Sequence, residues 1–194
     1  MPRDRRREGT ANVAASVDPG AARLVRFVRA AQGGDAESFS ALVRDHGPGA
    51  FRFLAARLRN EADARDALQE TLVAAWRSLP RLRNPERFPA WFLSIAVHKA
   101  NDLARTRARG RDAPTPRERT TEDSPATDLR DAVESLPPNL RNVVLLRYVV
   151  DLSERETAHV LGVRPGTVKS RANRARTLLA RALADDERKD GGSK

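Results

Sequence analysis

A stretch near the end of the chain combines helical spacing with unbalanced positive charge. It reads LGVRPGTVKSRANRAR, from Leu161 to Arg176, and six basic residues and no acidic one lie between Arg164 and Arg181. Short hydroxyl and amide side chains are interspersed with the basic ones. Such groups can hydrogen-bond to base edges, and guanidinium groups can bind guanine or phosphate. The stretch therefore has the side chains of a nucleic-acid-binding helix.

The same helix has a predicted buried side. Val168, Ala172, Ala175, Leu179 and Ala182 follow spacings of four and three residues, which place them on one face. A solvated helix face usually mixes charges of both signs to form i,i+4 pairs, and this one does not, so DNA contact is favoured over an ordinary charged surface. The candidate DNA contacts are Arg164, Thr167, Lys169, Ser170, Arg171, Asn173 and Arg174.

The preceding residues position this helix. Ser153 and Glu156 have the spacing of a capping box, in which each side chain satisfies a backbone N–H at a helix start. Gly162 is suited to end that helix, because glycine readily adopts the left-handed conformation. Pro165 then stands where the next helix should begin. The order of helix, short turn and helix predicts a helix-turn-helix.

Other side-chain chemistry is sparse. The histidines, His46, His98 and His159, are far apart in sequence, and the chain has no cysteine. GTVKS lacks the first glycine of a phosphate-binding loop and any preceding strand. We therefore expect no enzymatic activity, no metal site and no cofactor.

The composition points to a polyanionic partner. The 194 residues carry a formal net charge of +10, and the isoelectric point is about 11.2. A balance this basic is typical of proteins that bind nucleic acid. The absence of cysteine fits a reducing compartment. No window of about 18 apolar residues occurs, and no hydrophobic stretch follows the basic N-terminus. We expect a cytoplasmic protein without a membrane span.

Periods of three to four residues dominate the chain, and no stretch alternates as a strand. The fold class is therefore predicted to be all-α, with two small helical domains joined by a flexible linker and a helix-turn-helix in the second. The predicted segments are a disordered arm (1–20), a helical domain (21–109), a Pro-rich linker (110–127), a second helical domain (128–185) and a frayed tail (186–194).

Local signals give more detailed expectations. Asp35 is a candidate N-cap, and Gly47 is expected to end the helix that Asp35 begins. Asp128 is a candidate cap in the second domain, where Leu129, Val133 and Leu136 are expected to face inward. Trp91 lies in an apolar stripe and is expected to belong to the core more than to a base-stacking surface.

ESLPPNLRNVVLLRYVVDLSERETAHVLGVRPGTVKSRANRAR is similar to the region-4 domain of extracytoplasmic-function sigma factors, a group of bacterial transcription initiation factors. The motifs LPP, LRY, LS, LGV, GTVKSR and RAR stand in the family's order. The resemblance implies that this domain binds the −35 promoter element as duplex DNA. The resemblance to the family as a whole extends from about Gly34 to Leu183.

The first domain resembles the region-2 domain of the same family. NEADARDALQETLVAAWRSL looks like the segment that docks on core RNA polymerase, which implies this role for Asp66, Gln69 and Glu70. RLRNPER and FPAWFLSIAVHKANDLARTRAR look like the segments that capture a flipped base and hold the melted −10 strand. The resemblance implies −10 contacts for Arg81, Arg83, Asn84, His98, Lys99, Asp102 and Arg105.

The resemblance predicts a sigma factor that directs RNA polymerase to promoters and assists DNA melting in response to a stress or signal. Its partners would be core RNA polymerase, promoter DNA and an anti-sigma protein, and the polymerase would supply the chemistry. Thr157 departs from the family's usual aliphatic residue, which predicts looser helix packing. Two alternatives remain open: a two-domain regulator that binds duplex DNA alone, and a helical interaction protein that binds polymerase without DNA.

Overall fold

The chain is all-α, as predicted. The computed structural model describes residues 18–109 and 125–190, and within these ranges it has eight α-helices and no β-strand. The helices are α1 (Pro19–Gln32), α2 (Ala36–Leu58), α3 (Glu61–Ser78), α4 (Phe88–Arg109), α5 (Pro125–Ser135), α6 (Pro138–Tyr148), α7 (Glu154–Leu161) and α8 (Pro165–Asp190). Two 3₁₀ turns, Leu79–Arg81 and Pro85–Arg87, join α3 to α4. None of the described helices is long and apolar enough to cross a bilayer.

The first unit consists of α1 to α4 packed around α2. Phe53 and Leu54 of α2 and Phe88 and Phe92 of α4 are almost completely buried. The rings of Phe88 and Phe92 stack with their centroids 5.7 Å apart. Each such side chain contributes roughly 1.5–3 kcal/mol when it leaves water. This core fixes α3 and α4, which carry the predicted polymerase and −10 residues.

Helix α2 does not end at Gly47, so that expectation was wrong. The helix continues through Gly47 and Pro48 to Leu58. Glycine costs about 1 kcal/mol and proline about 3 kcal/mol inside a helix. The continuation buries Phe53 and Leu54 against α4, and this packing offsets the local cost. Tertiary contacts thus override a local stop signal.

The helix starts agree with their local chemistry. Asp35 caps α2 as predicted, because its Oδ1 accepts a hydrogen bond from the Glu37 N–H at 3.1 Å. Asn60 caps α3 in the same way. Helix α1 begins at Pro19, behind an Asp18 N-cap, so it starts inside the predicted arm. The rest of that arm, residues 1–17, lies outside the described residues.

The second unit consists of α5 to α8 and has two small apolar clusters. One joins the α5–α6 region to α8, and the other holds α7 against α6 and α8. The members of the first are Leu136, Leu140, Val144 and Ala175, and those of the second are Val143, Ala158 and Val168. Since α8 contributes to both, its orientation is fixed by the other three helices.

Two helix boundaries and one burial assignment in the second unit differ from the prediction. Helix α5 begins at Pro125, so Asp128 lies in its first turn and is not its cap. Leu129 is 46% exposed, although it was expected to face inward. Helix α8 continues to Asp190, beyond the predicted start of the tail. Residues 110–124 of the predicted linker and 191–194 of the tail lie outside the described residues.

The two units are in direct contact, which the sequence did not indicate. Leu145 and Leu146 of α6 and Val160 of α7 belong to the same buried cluster as the core of the first unit. At one edge of this contact Arg59, which follows α2, pairs with Asp131 and Glu134 of α5. At another, Nδ2 of Asn142 donates to Oδ1 of Asn101 at 3.3 Å. The units therefore share a core.

Candidate nucleic-acid interface

The turn of the helix-turn-helix has the predicted geometry. The Glu156 N–H donates to Ser153 Oγ at 3.2 Å, and the Ser153 N–H donates to a Glu156 carboxylate oxygen at 2.7 Å. These bonds hold the pKa of Glu156 below its ordinary value, the Ser153 side chain being the main cause. Gly162 has φ 64°, in the left-handed region, and ends α7. Pro165 then begins α8. The predicted capping box and glycine cap are confirmed.

Helix α8 has a buried side and a basic side, as its spacing indicated. Val168 and Ala175 are fully buried, and Ala172, Leu179 and Ala182 are half-buried. The opposite side carries seven predicted contact residues, here called the α8 face: Arg164, Thr167, Lys169, Ser170, Arg171, Asn173 and Arg174. Thr167 and Arg171 are half-buried, and the other five are exposed.

The charge of the α8 face is not balanced by nearby acids. Arg164, Lys169, Arg171 and Arg174 form no ion pair with a carboxylate in the described part of the chain. Among the described residues, the hydrogen bonds of Ser170 and Asn173 are to neighbours in α8. Ser170 Oγ donates to the Thr167 carbonyl at 3.0 Å, and Asn173 Oδ1 accepts from Arg176 at 3.1 Å. A phosphate can therefore bind this face without displacing an acidic side chain.

In the first unit, hydrogen bonds from the last residue of α1 hold the turn between α3 and α4 in place. The Gln32 side-chain amide donates to the carbonyls of Leu79 and Leu82 at 3.0 and 2.8 Å. This places Arg81, Arg83 and Asn84 on the surface, where all three are exposed. The Asn84 Oδ1 also accepts from the Glu86 N–H at 3.0 Å and caps the second 3₁₀ turn. Its amide N–H groups are the donors it can offer to a base.

The predicted −10 residues of α4 are partly engaged with acids. The Lys99 Nζ lies 3.0 Å from a Glu70 carboxylate oxygen. Arg105 pairs with Asp102 one turn away. His98 is exposed. Together with the three residues of the turn, these residues form the α4 face: Arg81, Arg83, Asn84, His98, Lys99, Asp102 and Arg105.

The three predicted polymerase contacts lie together on α3. Asp66, Gln69 and Glu70 are all exposed, and their spacing places them along adjacent turns of one side of the helix. Glu70 differs from the other two because it is already bound to Lys99. One predicted polymerase contact is thus joined directly to one predicted DNA contact.

The aromatic residue Trp91 is half-buried against Phe88, with the ring centroids 5.7 Å apart, in line with a mainly structural role.

The packing of the two units brings members of the α8 and α4 faces to one cavity. This inter-unit cavity has a volume of about 760 Å³, and His98, Arg105 and Arg171 all line it. The hydrogen-bonded pair of Asn101 and Asn142 lies at its wall. Arg171 is half-buried for this reason, whereas Lys169 and Arg174 are open to solvent.

Several residues at the contact between the units were missed from sequence. They are Arg57, Arg59, Asn101, Asp131, Glu134, Arg141 and Asn142. One signal was available: Arg57 lies four residues after Phe53 and three after Leu54, on the apolar side of its helix. A charged residue at such a position indicates that the charge is buried and needs a partner.

The described residues contain no group of three or more His, Cys, Asp or Glu side chains arranged to hold a metal ion.

The departure at Thr157 has a structural consequence. Thr157 is fully buried on α7, and its Oγ1 has no hydrogen-bond partner among the residues described. A buried hydroxyl without a partner costs about 1–3 kcal/mol. The unsatisfied hydroxyl thus destabilises the helix-turn-helix, while the looser helix packing expected from the sequence stays a prediction.

Comparison with known proteins gives matches to both units. Residues 42–110 match the family model for sigma-70 region 2, and residues 126–179 match the model for sigma-70 region 4. The ECF RNA polymerase sigma factor BldN of Streptomyces coelicolor is 32% identical over 186 residues, covering 89% of this chain and 70% of BldN. The RNA polymerase sigma factor SigV of Bacillus subtilis is 32% identical over 150 residues, covering 75% of this chain and 90% of SigV.

A solved structure also matches. The structure of CnrH in complex with the cytosolic domain of CnrY superposes on the chain with a TM-score of 0.66 at 28% sequence identity. The match covers 84% of this chain and 99% of CnrH.

Proposed function

The chain belongs to the extracytoplasmic-function RNA polymerase sigma factors, and from this membership we propose that it directs core RNA polymerase to specific promoters and assists DNA melting in response to a signal. It acts in the cytoplasm, on the nucleoid. The observation that carries the proposal is the α8 face, a basic surface without acidic partners in the described residues, set on the second helix of a helix-turn-helix. That helix is the one that enters the major groove.

The two units have separate roles in this proposal. The second unit, from about residue 128 to 185, binds the −35 element through the α8 face. The first unit, from about residue 21 to 109, binds polymerase through Asp66, Gln69 and Glu70 and holds the melted −10 strand on the α4 face. A basic track with polar base contacts is suited to single-stranded DNA. Unstacking a base costs a few kcal/mol, which the polymerase complex must offset.

Promoter binding requires the two units to separate. Arg171 lines the inter-unit cavity together with His98 and Arg105, two members of the α4 face. Duplex DNA on the α8 face and a single strand on the α4 face cannot both reach these residues while the units are packed together. We propose that binding to core polymerase stabilises the separated arrangement. A protein antagonist that bound across both units would stabilise the packed one. CnrH, to which this chain is similar, has a solved structure in complex with the cytosolic domain of CnrY.

The test is in vitro transcription with core RNA polymerase and a library of genomic promoters. We expect initiation at a defined subset of promoters only when the chain is present, and co-purification of the chain with core polymerase. Specific binding to duplex DNA without polymerase would instead favour a two-domain regulator. Polymerase binding without promoter-specific initiation would favour a helical interaction protein.

A further inference from the structure

Arg57 is a buried cation without a matching anion. Arg57 is 8% exposed, and its Nε has no hydrogen-bond partner among the described residues. It forms no ion pair with a carboxylate in the ranges 18–109 and 125–190. Burial of a charge costs several kcal/mol unless a counter-charge and hydrogen bonds compensate it. This cost arises at a position where an apolar residue would fit the pattern of the helix.

The surroundings of Arg57 add positive charge. The pKa of Arg57 is lowered to about 10, mainly by burial and secondly by the neighbouring charge of Arg141. Arg57 therefore remains a cation at neutral pH. Arg141, on α6, donates from one Nη to the carbonyls of Glu134 and Leu136, yet its Nε also lacks a partner in the described chain. Two guanidinium groups thus have unused N–H donors.

The nearby carboxylates are already engaged. Arg59 pairs with both Asp131 and Glu134, and these bonds, with Glu134 the main cause, raise the pKa of Arg59. Glu134 also attracts the Arg57 charge from a distance, but it does not form an ion pair with it. The acids at this edge therefore do not satisfy Arg57 or Arg141.

Arg57 and Arg141 open into a cavity of about 1080 Å³ between the units, here called the arginine cavity. Its charged lining consists of five arginines and one glutamate, and its remaining walls are mostly aliphatic. The arginines are Arg57, Arg59, Arg130, Arg141 and Arg176, and the glutamate is Glu134. Only one of the five cations, Arg59, has an acidic partner among the described residues.

We propose that the arginine cavity binds a small multivalent oxyanion, a molecule bearing phosphate or carboxylate groups, through the guanidinium groups of Arg57 and Arg141. Guanidinium groups bind such oxygens with strong, directional, charge-assisted hydrogen bonds. Because Arg57 belongs to the first unit and Arg141 to the second, the bound anion bridges the units and stabilises their packed arrangement. This inference stands whether or not the chain directs transcription.

Isothermal titration calorimetry on the full chain tests the proposal, with pyrophosphate as the phosphate probe and citrate as the carboxylate probe. Ionic strength is held constant with KCl. We expect at least one probe to bind the unaltered chain and R57Q to weaken that binding by about tenfold or more, as expected for loss of a hydrogen bond to a charged group. The probe that binds more tightly identifies the chemical class.

The matched control is R44Q, which removes the same charge from an exposed position of α2, 13 residues before Arg57 and outside both predicted DNA faces. We expect R44Q to bind the probe within about twofold of the unaltered chain, because a distant exposed charge is screened. Equal weakening in R57Q and R44Q would show only general attraction of anions to a basic protein and would overturn the proposal. So would the absence of binding by both probes.

A second variant separates ligand binding from folding. In buffer without multivalent anions, R57M should unfold at a higher temperature than the unaltered chain, because an apolar side chain replaces an uncompensated buried charge. Pyrophosphate or citrate should raise the unfolding temperature of the unaltered chain and raise that of R57M much less, because only Arg141 of the pair remains. A lower unfolding temperature of R57M in anion-free buffer would contradict the premise that Arg57 lacks a counter-charge.

Discussion

The α8 face and the α4 face are both basic, but they hold their charge differently. On α8, Arg164, Lys169 and Arg174 are exposed and have no acidic partner in the described residues. On α4, Lys99 pairs with Glu70 and Arg105 pairs with Asp102. A phosphate can bind these three α8 side chains without displacing a carboxylate, whereas at Lys99 and Arg105 it must displace one. We infer that full availability of the α4 face for DNA requires release of Lys99 and Arg105 from their acidic partners, a step that these α8 side chains do not need.

The largest expected effect concerns the α8 face. Changing both Arg171→Ala and Arg174→Ala should lower initiation at −35-dependent promoters by about a hundredfold, because each arginine contact with a base or phosphate contributes roughly 1–3 kcal/mol. Core polymerase binding should be unchanged. In vitro transcription and a polymerase pull-down measure the two properties.

Arg23→Ala is the control for the α8 prediction. Arg23 lies on α1, where its Nη2 is 3.4 Å from an exposed Asp45 carboxylate oxygen, and it belongs to neither face. Its removal should leave initiation within about twofold, since exposed ion pairs contribute little. Normal transcription by the double α8 variant would mean that the face has been assigned to the wrong side of the helix.

Two fully buried threonines sharpen the comparison of the units. Thr71 in the first unit donates its hydroxyl hydrogen bond to the Ala67 carbonyl at 2.7 Å, whereas Thr157 in the second has no described partner. Thr157→Val should therefore raise the free energy of unfolding by about 1 kcal/mol. Thr71→Val should lower it or leave it unchanged. Urea denaturation measures both, and equal effects would contradict the assignment of an unsatisfied hydroxyl at Thr157.

The start of α7 supports the α8 face indirectly. Ser153→Ala removes the cap that holds the first helix of the helix-turn-helix and should lower the free energy of unfolding by about 1 kcal/mol. Ser170→Ala is the matched control, because the Ser170 hydroxyl bonds only to a carbonyl within its own helix. A loss as large for Ser170→Ala would show that the effect is not specific to the cap.

The same cap gives a pH dependence. The pKa of Glu156 is held below its ordinary value of 4.5 by Ser153. A group with a lowered pKa in the folded state stabilises the fold above its unfolded pKa, and this contribution disappears as the pH falls through the folded value. The stability difference between the unaltered chain and Glu156→Gln should therefore be present at neutral pH and shrink below about pH 4.5. Urea titrations at several pH values measure it.

Helix ends could be predicted from the sequence where residues a few positions apart determine them. The capping box of Ser153 and Glu156 and the left-handed Gly162 involve residues a few positions apart, so spacing alone identified the helix-turn-helix. The helix end predicted at Gly47 was wrong because burial of Phe53 and Leu54 in the core stabilises α2 beyond that residue. The contact between the units, and with it the environment of Arg57, depends on residues far apart in sequence, from 41 positions for Asn101 and Asn142 to 75 for Arg59 and Glu134. No periodicity within either unit indicates which surfaces meet.

The smallest expected effect tests the comparison most directly. Glu70→Gln frees Lys99 from its acidic partner, 3.0 Å away. Exposed ion pairs contribute about 0.2–1 kcal/mol, so affinity of the chain for a single-stranded −10 oligonucleotide should rise by roughly twofold to fivefold. Fluorescence anisotropy measures this affinity. Since Glu70 is also a predicted polymerase contact, affinity for core polymerase should fall in the same variant.

Glu61→Gln provides the matched control for Glu70→Gln. Glu61 lies on the same helix and pairs with Arg65, outside the α4 face, so its removal changes the net charge equally without freeing a DNA contact. Affinity for the oligonucleotide should rise less in Glu61→Gln than in Glu70→Gln. If the two variants gained affinity equally, net charge alone would explain the effect. A larger gain in Glu70→Gln would show that the ion pair with Glu70 restrains Lys99. Polymerase that engages Glu70 would then release Lys99 for the DNA strand.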